Sequence, residues 1–162
     1  TLSMAARKSD SYAAKSPAQV AWGYRVLKLA RSVGAAKFTR ASFEKGLVEF
    51  RSLITHAADV RRVPAVLAEL GVRLVVVERL PGSLLDGACL RLDPGKAGER
   101  PVVALTSRYD RIDNFWFTLC HELAHVLHGH EESFDENLVG EGSVPSKDKP
   151  EAERLADQWA AN

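Results

Sequence analysis

Two histidines and a glutamate in the second half of the chain have the residue types and the spacing for metal chemistry. His121, Glu122 and His125 form the pattern HExxH inside "DNFWFTLCHELAHVLHGH", residues 113–130. A helix advances about 100° per residue, so the two histidines lie one turn apart on one face, where both can bind one metal ion. Glu122 lies beside that ion, where its carboxylate can take a proton from a metal-bound water molecule. The pattern predicts a hydrolytic metal centre.

Zinc is the expected ion, with one ion per chain. Two imidazoles and a carboxylate leave a fourth coordination position open for water, although the same donor set also binds iron. The apolar residues around the motif strengthen this prediction, because buried His and Glu side chains cost several kcal/mol unless something satisfies them. The alternative interpretation is a core histidine pair satisfied by hydrogen bonds.

The third metal ligand is expected in the C-terminal stretch "EAERLAD". A histidine ten residues after the first would complete a metzincin-like site, but that position is Glu131. Glu153 and Asp157 lie one turn apart on a helix face that carries small alanines, which allows a close approach to the histidine helix. We predict Glu153 as the third ligand and Asp157 as the hydrogen-bond acceptor of a ligand imidazole. Glu151 is the alternative ligand, and an exposed acidic helix face is the structural alternative.

His128 lies on the face of His121, seven residues further along the chain. It is a candidate for lining the cleft or stabilising an oxyanion, and a packed or capping histidine is the alternative interpretation. The aromatic run Phe115, Trp116 and Phe117 is expected to pack in the core and support the active-site helix.

The remaining sequence predicts an α+β fold that positions this helix. Ser16 and Pro17 predict the start of a first helix, and "PAVLAEL" predicts a third that ends at Gly71. The face of a second helix is marked by Phe43, Leu47, Phe50 and Ile54. Three strands follow, in "VRLVVVERL", in "GACLRLD" after an Asp86-Gly87 turn signal, and in "RPVVALTS". Asp113 is the expected N-cap of the active-site helix and Gly129 its end, and a long loop leads to a C-terminal helix over "DKPEAERLADQWAAN".

Composition and charge narrow the functional class. Residues 1–70 carry 12 Lys and Arg against 5 Asp and Glu, and residues 71–162 carry 10 against 16. No nucleic-acid-binding motif accompanies the basic half, so direct nucleic-acid binding by this chain is not expected. No apolar run approaches the roughly 18 to 20 residues that span a bilayer. The isolated Cys89 and Cys120 favour a reducing cytoplasm, with both thiols acting as buried apolar groups.

The residues carry a family resemblance. "RYDRIDNFWFTLCHELAHVLHGH", "EAERLADQWAA" and the strands around "LPGSLLDGACLRLD" together resemble the ImmA/IrrE zinc metallopeptidases, especially those attached to HigA-like helix-turn-helix antitoxins or transcriptional regulators. The resemblance implies a zincin-like, gluzincin-type endopeptidase with His121, His125 and Glu153 as zinc ligands and Glu122 as general base. It also implies a role in cleaving or controlling a helix-turn-helix repressor in a stress or toxin-antitoxin response.

These inferences give one domain plan and one alternative function. Residues 1–11 are expected to be linker-like, 12–70 helical and 71–162 the zincin-like core. The chain is expected to be a fragment of a longer regulator that carries a DNA-binding module. A protein or peptide substrate is the expected partner, a homodimer is possible, and no membrane is involved. An extended substrate is expected to add to the sheet edge at "GACLRLD". The alternative is a non-catalytic, zinc-containing sensor module of a transcriptional regulator.

Overall fold

The computed structural model describes residues 15–53, 57–94, 97–107, 112–129, 133–136 and 161. It has the α+β class expected from the sequence. The helices are α1 (Pro17–Ala30), α2 (Arg40–Leu53), α3 (Val63–Glu69) and α4 (Ile112–His128), with a 3₁₀ helix at Ala57–Arg62. The strands are β1 (Arg73–Val77), β2 (Leu85–Arg91), β3 (Pro101–Thr106) and β4 (Ser133–Glu136).

Helix α1 begins where the sequence predicts, because Ser16 and Gln19 form a capping box. The Ser16 hydroxyl accepts a hydrogen bond from the Gln19 backbone N–H at 3.2 Å, and the Gln19 side chain accepts one from the Ser16 N–H at 3.0 Å. Such caps satisfy N–H groups that have no partner within the helix, and they contribute about 1 kcal/mol. The Gln19 amide also donates to the Ser83 carbonyl at 3.1 Å, which ties the start of α1 to the turn before β2.

The sheet contains the three predicted strands and a fourth, β4, in the order β1-β3-β2-β4. Strands β1 and β3 are parallel, whereas β2 is antiparallel to both β3 and β4. The fourth strand lies in the segment that the sequence assigned to a loop. Because β4 pairs with β2, the expectation that "GACLRLD" is a free edge for an extended substrate is wrong over Gly87–Cys89.

Two apolar layers enclose the sheet. Helix α1 covers one face, where Trp22, Val26 and Ala30 are fully buried against side chains of β1, β2 and β3. Helices α2, α3 and α4 cover the other face, with α4 packed on β2 and β3. Alternate residues of β3 supply the two layers, Val102 and Ala104 on the α1 side and Val103 and Leu105 on the α4 side. The core therefore places α4 directly against the middle of the sheet.

Helix ends follow the predicted glycines. Gly71 ends α3 with φ +84 and Gly129 ends α4 with φ +72, the left-handed conformation that glycine adopts without strain. Two local predictions are wrong: Asp86 and Gly87 lie inside β2 and do not form a turn, and Asp113 lies in the first turn of α4, which begins at Ile112. The predicted C-terminal helix over 148–162 lies outside the described residues apart from residue 161. Within the described parts of the chain, no helix has the length and apolarity needed to cross a membrane.

Candidate metal centre

The two histidines of the motif are brought together on α4. Both are buried, and their Nε2 atoms lie 3.1 Å apart, with the rings inclined at 71°. Two zinc-bound nitrogens, each about 2.0–2.1 Å from the ion at a tetrahedral angle, are separated by about 3.3 Å. The observed separation fits two imidazoles that bind one ion through Nε2. The helical spacing thus brings the two ring nitrogens together on one face of α4.

Glu122 is completely buried next to the histidine pair in the chain. Its carboxylate lies against Gly87 of β2: a Cβ atom built on Gly87 would be 2.5 Å from Oε1 and 3.1 Å from Cδ of Glu122. The absence of a side chain on β2 therefore creates the space that holds the carboxylate. Burying an ionised carboxylate costs several kcal/mol unless a cation or hydrogen bonds offset it, so a nearby divalent ion fits this arrangement.

Helix α4 is held in place around nearly its whole circumference. Residues from Thr118 to Val126 are all buried, and Leu119 and Leu123 are fully enclosed in the core between α2 and the sheet. Trp116 packs edge-on against Phe50 of α2, with ring centroids 6.3 Å apart. This confirms the predicted core role of Trp116. A helix buried on all sides has little freedom to rotate, so the directions of His121, Glu122 and His125 are fixed by packing.

Two arginines fix the C-terminal end of α4. Arg40 of α2 donates to the carbonyls of Val126 and Leu127, and Arg91 of β2 donates to the Gly129 carbonyl at 3.3 Å. Carbonyls at a helix end lack partners within the helix and carry partial negative charge, so cationic donors stabilise them. Neither arginine was identifiable from the sequence, because each contact joins residues that are distant along the chain.

Cys120 directly precedes the HExxH motif on α4, and its thiol is buried. Burial disfavours the charged thiolate and raises the pKa of Cys120 to about 11. The thiol is therefore protonated at neutral pH and behaves as a small apolar group, in agreement with the sequence interpretation.

The other candidate site residues are His128 and three acidic residues of the C-terminal stretch. His128 is exposed at the last residue of α4. Glu153, Asp157 and Glu151 lie outside the described residues, so their assignments remain predictions. Among the residues that are described, no cluster of three or more His, Cys, Asp and Glu side chains is positioned to hold a metal ion. Within the described residues, the candidate site therefore consists of the histidine pair and Glu122.

Comparison with known proteins places this geometry in a family. Neither the curated proteins nor the solved structures contain a match to the chain. A family model does match residues 70–162, more than half of the chain: Peptidase_M78, the IrrE N-terminal-like domain. The matched region contains β1, β2, β3 and the whole of α4 with its HExxH residues. The resemblance found in the sequence is thereby confirmed, and the chain belongs to the Peptidase_M78 family of metallopeptidase-like, IrrE N-terminal-like domains.

Proposed function

We propose that this protein is a zinc-dependent endopeptidase that hydrolyses a peptide bond with Glu122 as its general base. The observation that carries the proposal is the pair of buried Nε2 atoms 3.1 Å apart on the helix turn that also bears Glu122. A purely structural zinc site has no need of an acidic side chain beside its ligands and usually closes its fourth coordination position. Membership of a metallopeptidase-like family supports the same reaction class.

His121 and His125 would hold the ion through Nε2, and their shared helix turn fixes the angle between them. A bound zinc ion supplies Lewis acidity to water and to the scissile carbonyl. Glu122 accepts the proton of the attacking water and then returns it to the leaving amine, which balances the protons over the reaction. Packing around α4 keeps the carboxylate oriented throughout, because Glu122 is enclosed by protein.

The third ligand in this proposal is Glu153, with Asp157 accepting a hydrogen bond from a ligand imidazole; Glu151 is the alternative ligand. Glu153 supplies the carboxylate of a two-histidine, one-glutamate set, which leaves the fourth position available for water. A hydrogen bond from the imidazole to Asp157 would fix the tautomer that presents Nε2 to the ion. Metal analysis of the single variants distinguishes the two glutamates.

The proposed substrate is a helix-turn-helix repressor or regulator that acts in a stress or toxin-antitoxin response. This part of the proposal comes from the resemblance of the α4 and C-terminal sequences to members attached to HigA-like regulators. A DNA-binding module, if one is attached to this chain, would supply nucleic-acid contacts, so this chain itself needs only to recognise protein. A homodimer is compatible with this role.

A zinc-containing sensor without catalysis is the second candidate. The observation that favours it is the burial of the motif: His121, Glu122 and His125 are 0%, 0% and 1% exposed. A closed metal site can stabilise a fold or transmit the binding of an effector without access for a peptide. In that case Glu122 would contribute charge to the site and no proton transfer.

Replacement of Glu122 by Gln separates the two functions. The amide keeps the size of the side chain but cannot accept the proton, so the zinc-loaded variant should lose about 100-fold or more of its hydrolytic rate at unchanged zinc content. Unfolded casein and a co-expressed helix-turn-helix repressor serve as substrates, and Glu69→Gln on the exposed surface of α3 is the control. If Glu122→Gln cleaves the substrate as fast as the wild type does, the proposal is contradicted and another residue is the general base. If no cleavage is detected and cells that carry Glu122→Gln still show the stress or toxin-antitoxin response of the wild type, the sensor function is favoured.

A further inference from the structure

We infer that Gly87 is a positioning residue for Glu122: a register shift in β2 turns this glycine toward α4, and its missing side chain forms the seat of the carboxylate. The inference rests on the proposed role of Glu122 as general base. It assigns a function to a strand residue outside the HExxH motif.

The register of β2 explains why Gly87 faces α4. Leu85 pairs with Glu136 and Gly87 with Asp135, so two residues of β2 advance for one of β4, as in a β-bulge at Asp86. In a regular strand Leu85 and Gly87 would point to the same face. Here Leu85 packs in the α1 layer, whereas Gly87 lies under Glu122 of α4. The β-bulge at Asp86 therefore turns position 87 toward the face of the sheet that packs against α4.

Thr106 of β3 stabilises the shifted backbone. Its hydroxyl lies within donor distance of two successive carbonyls, 3.0 Å from that of Leu85 and 3.2 Å from that of Asp86. These carbonyls flank the register shift, where the regular ladder of backbone hydrogen bonds is interrupted. The side chain of Thr106 thus supplies a hydrogen-bond donor from β3 to the backbone of the bulge.

The space between Gly87 and the Glu122 carboxylate is too small for a side chain at position 87. Any side chain at position 87 would overlap the carboxylate, since even a methyl carbon would lie 2.5 Å from Oε1 of Glu122. An exposed glutamate could swing away at little cost, but Glu122 is fully buried and its neighbours on α4 are buried as well. A methyl group at position 87 must therefore displace the carboxylate, or α4, from its place.

The test is a double-mutant cycle in thermal unfolding of metal-free full-length protein. Gly87→Ala should lower Tm by about 4 °C or more, and most of that loss should disappear in the Glu122→Ala background, where the overlapping carboxylate is absent. Gly46→Ala is the matched control, because its Cβ would overlap the Leu70 side chain and not a carboxylate. Its Tm loss should be equal in both backgrounds. An equal loss for Gly87→Ala in both backgrounds would overturn the inference.

A second measurement connects the position to catalysis. For a fluorogenic peptide that the wild type cleaves, zinc-loaded Gly87→Ala should show a kcat reduced by about 100-fold, with KM and zinc per chain unchanged. A merely structural role would reduce the folded or zinc-loaded fraction and leave kcat per loaded molecule intact, which would contradict a positioning role. If the wild type cleaves no peptide, the proposed endopeptidase function fails, while the unfolding cycle still decides whether Gly87 seats the carboxylate.

Discussion

At the scale of single residues, the proposed chemistry depends on three buried side chains on one helix turn and one missing side chain on the facing strand. His121 and His125 present two nitrogens 3.1 Å apart, and Glu122 fills the space above Gly87. The two imidazoles meet through their Nε2 atoms in a fully buried setting, next to a buried carboxylate on the same helix turn. The cost of burying these groups is offset most directly by a divalent cation.

The histidine pair predicts a specific metal stoichiometry. Wild-type protein purified without chelators should contain about one zinc ion per chain, and His121→Ala or His125→Ala should lower that content at least tenfold. His128→Ala is the control on the same helix, since its side chain is exposed and should leave the zinc content unchanged. Elemental mass spectrometry measures all four proteins. Full zinc retention in either motif variant would show that the pair is not the ligand set.

The same measurement identifies the third ligand. Glu153→Ala should lower zinc content as strongly as the histidine variants, because loss of one of three protein ligands opens the site. Glu151→Ala should retain the ion. The reverse result would make Glu151 the ligand, and retention in both variants would place the third ligand elsewhere in the chain.

The two cysteines make a prediction about reactivity. Both are buried, and a pKa of about 11 leaves Cys120 with roughly 0.1% thiolate at pH 8. Because the thiolate is the reactive form, iodoacetamide should label neither cysteine in folded protein, and both should be labelled in guanidinium. Mass spectrometry counts the added groups. Rapid labelling of Cys120 in the folded state at pH 8 would contradict its burial in the core.

At the scale of elements, the C-terminal end of α4 is the part most dependent on distant contacts. Arg40 makes two hydrogen bonds to carbonyls of α4, and its side chain also lies 3.6 Å from Glu99. Arg40→Met keeps the aliphatic length but removes the charge and the donors, so it should destabilise the fold by about 1 kcal/mol. Urea unfolding followed by circular dichroism measures the change.

Arg25→Met on α1 is the control for this substitution. Arg25 is exposed, so its replacement should change the free energy of unfolding by less than about 0.5 kcal/mol. If both variants unfold at the same urea concentration as the wild type, the capping contacts of Arg40 contribute nothing measurable.

Helices α1 to α4 and strands β1 to β3 were predictable because each has a local signature. The Ser16 cap with Pro17, the buried spacing in α2 and α4, and Gly129 at a helix end are short-range patterns that the structure reproduces. The strand β4 and the register of β2 were not predictable in the same way, because pairing joins segments more than 40 residues apart. Gly87 was mistaken for a turn residue, although an isolated glycine within a strand also indicates a bulge or a close approach.

At the scale of the whole molecule, the residues that match the family model are fewer than the residues that form the folded domain. The match begins at residue 70, yet both faces of the sheet are covered by helices that precede this point. Helix α1 buries Trp22 and Val26 against the face opposite α4, while α2 and α3 bury aromatic and aliphatic side chains beside α4. The N-terminal helices are therefore structural layers of the domain that carries the candidate metal centre.

This architecture predicts that residues 70–162 alone will not form a stable domain. Without α1, α2 and α3, apolar residues on both faces of the sheet would contact water, at a cost of roughly 25 cal/mol per Å² exposed. The shortened chain should show no cooperative thermal transition in circular dichroism. In the intact chain, Trp22→Ala should cost about 3–5 kcal/mol, whereas Tyr24→Ala, which removes a 47% exposed side chain from the same helix, should cost much less. If residues 70–162 alone unfold in a cooperative transition at the same temperature as the intact chain, the N-terminal helices are a separate appendage. Their contacts with the sheet would then contribute nothing to holding His121, Glu122 and His125 in place.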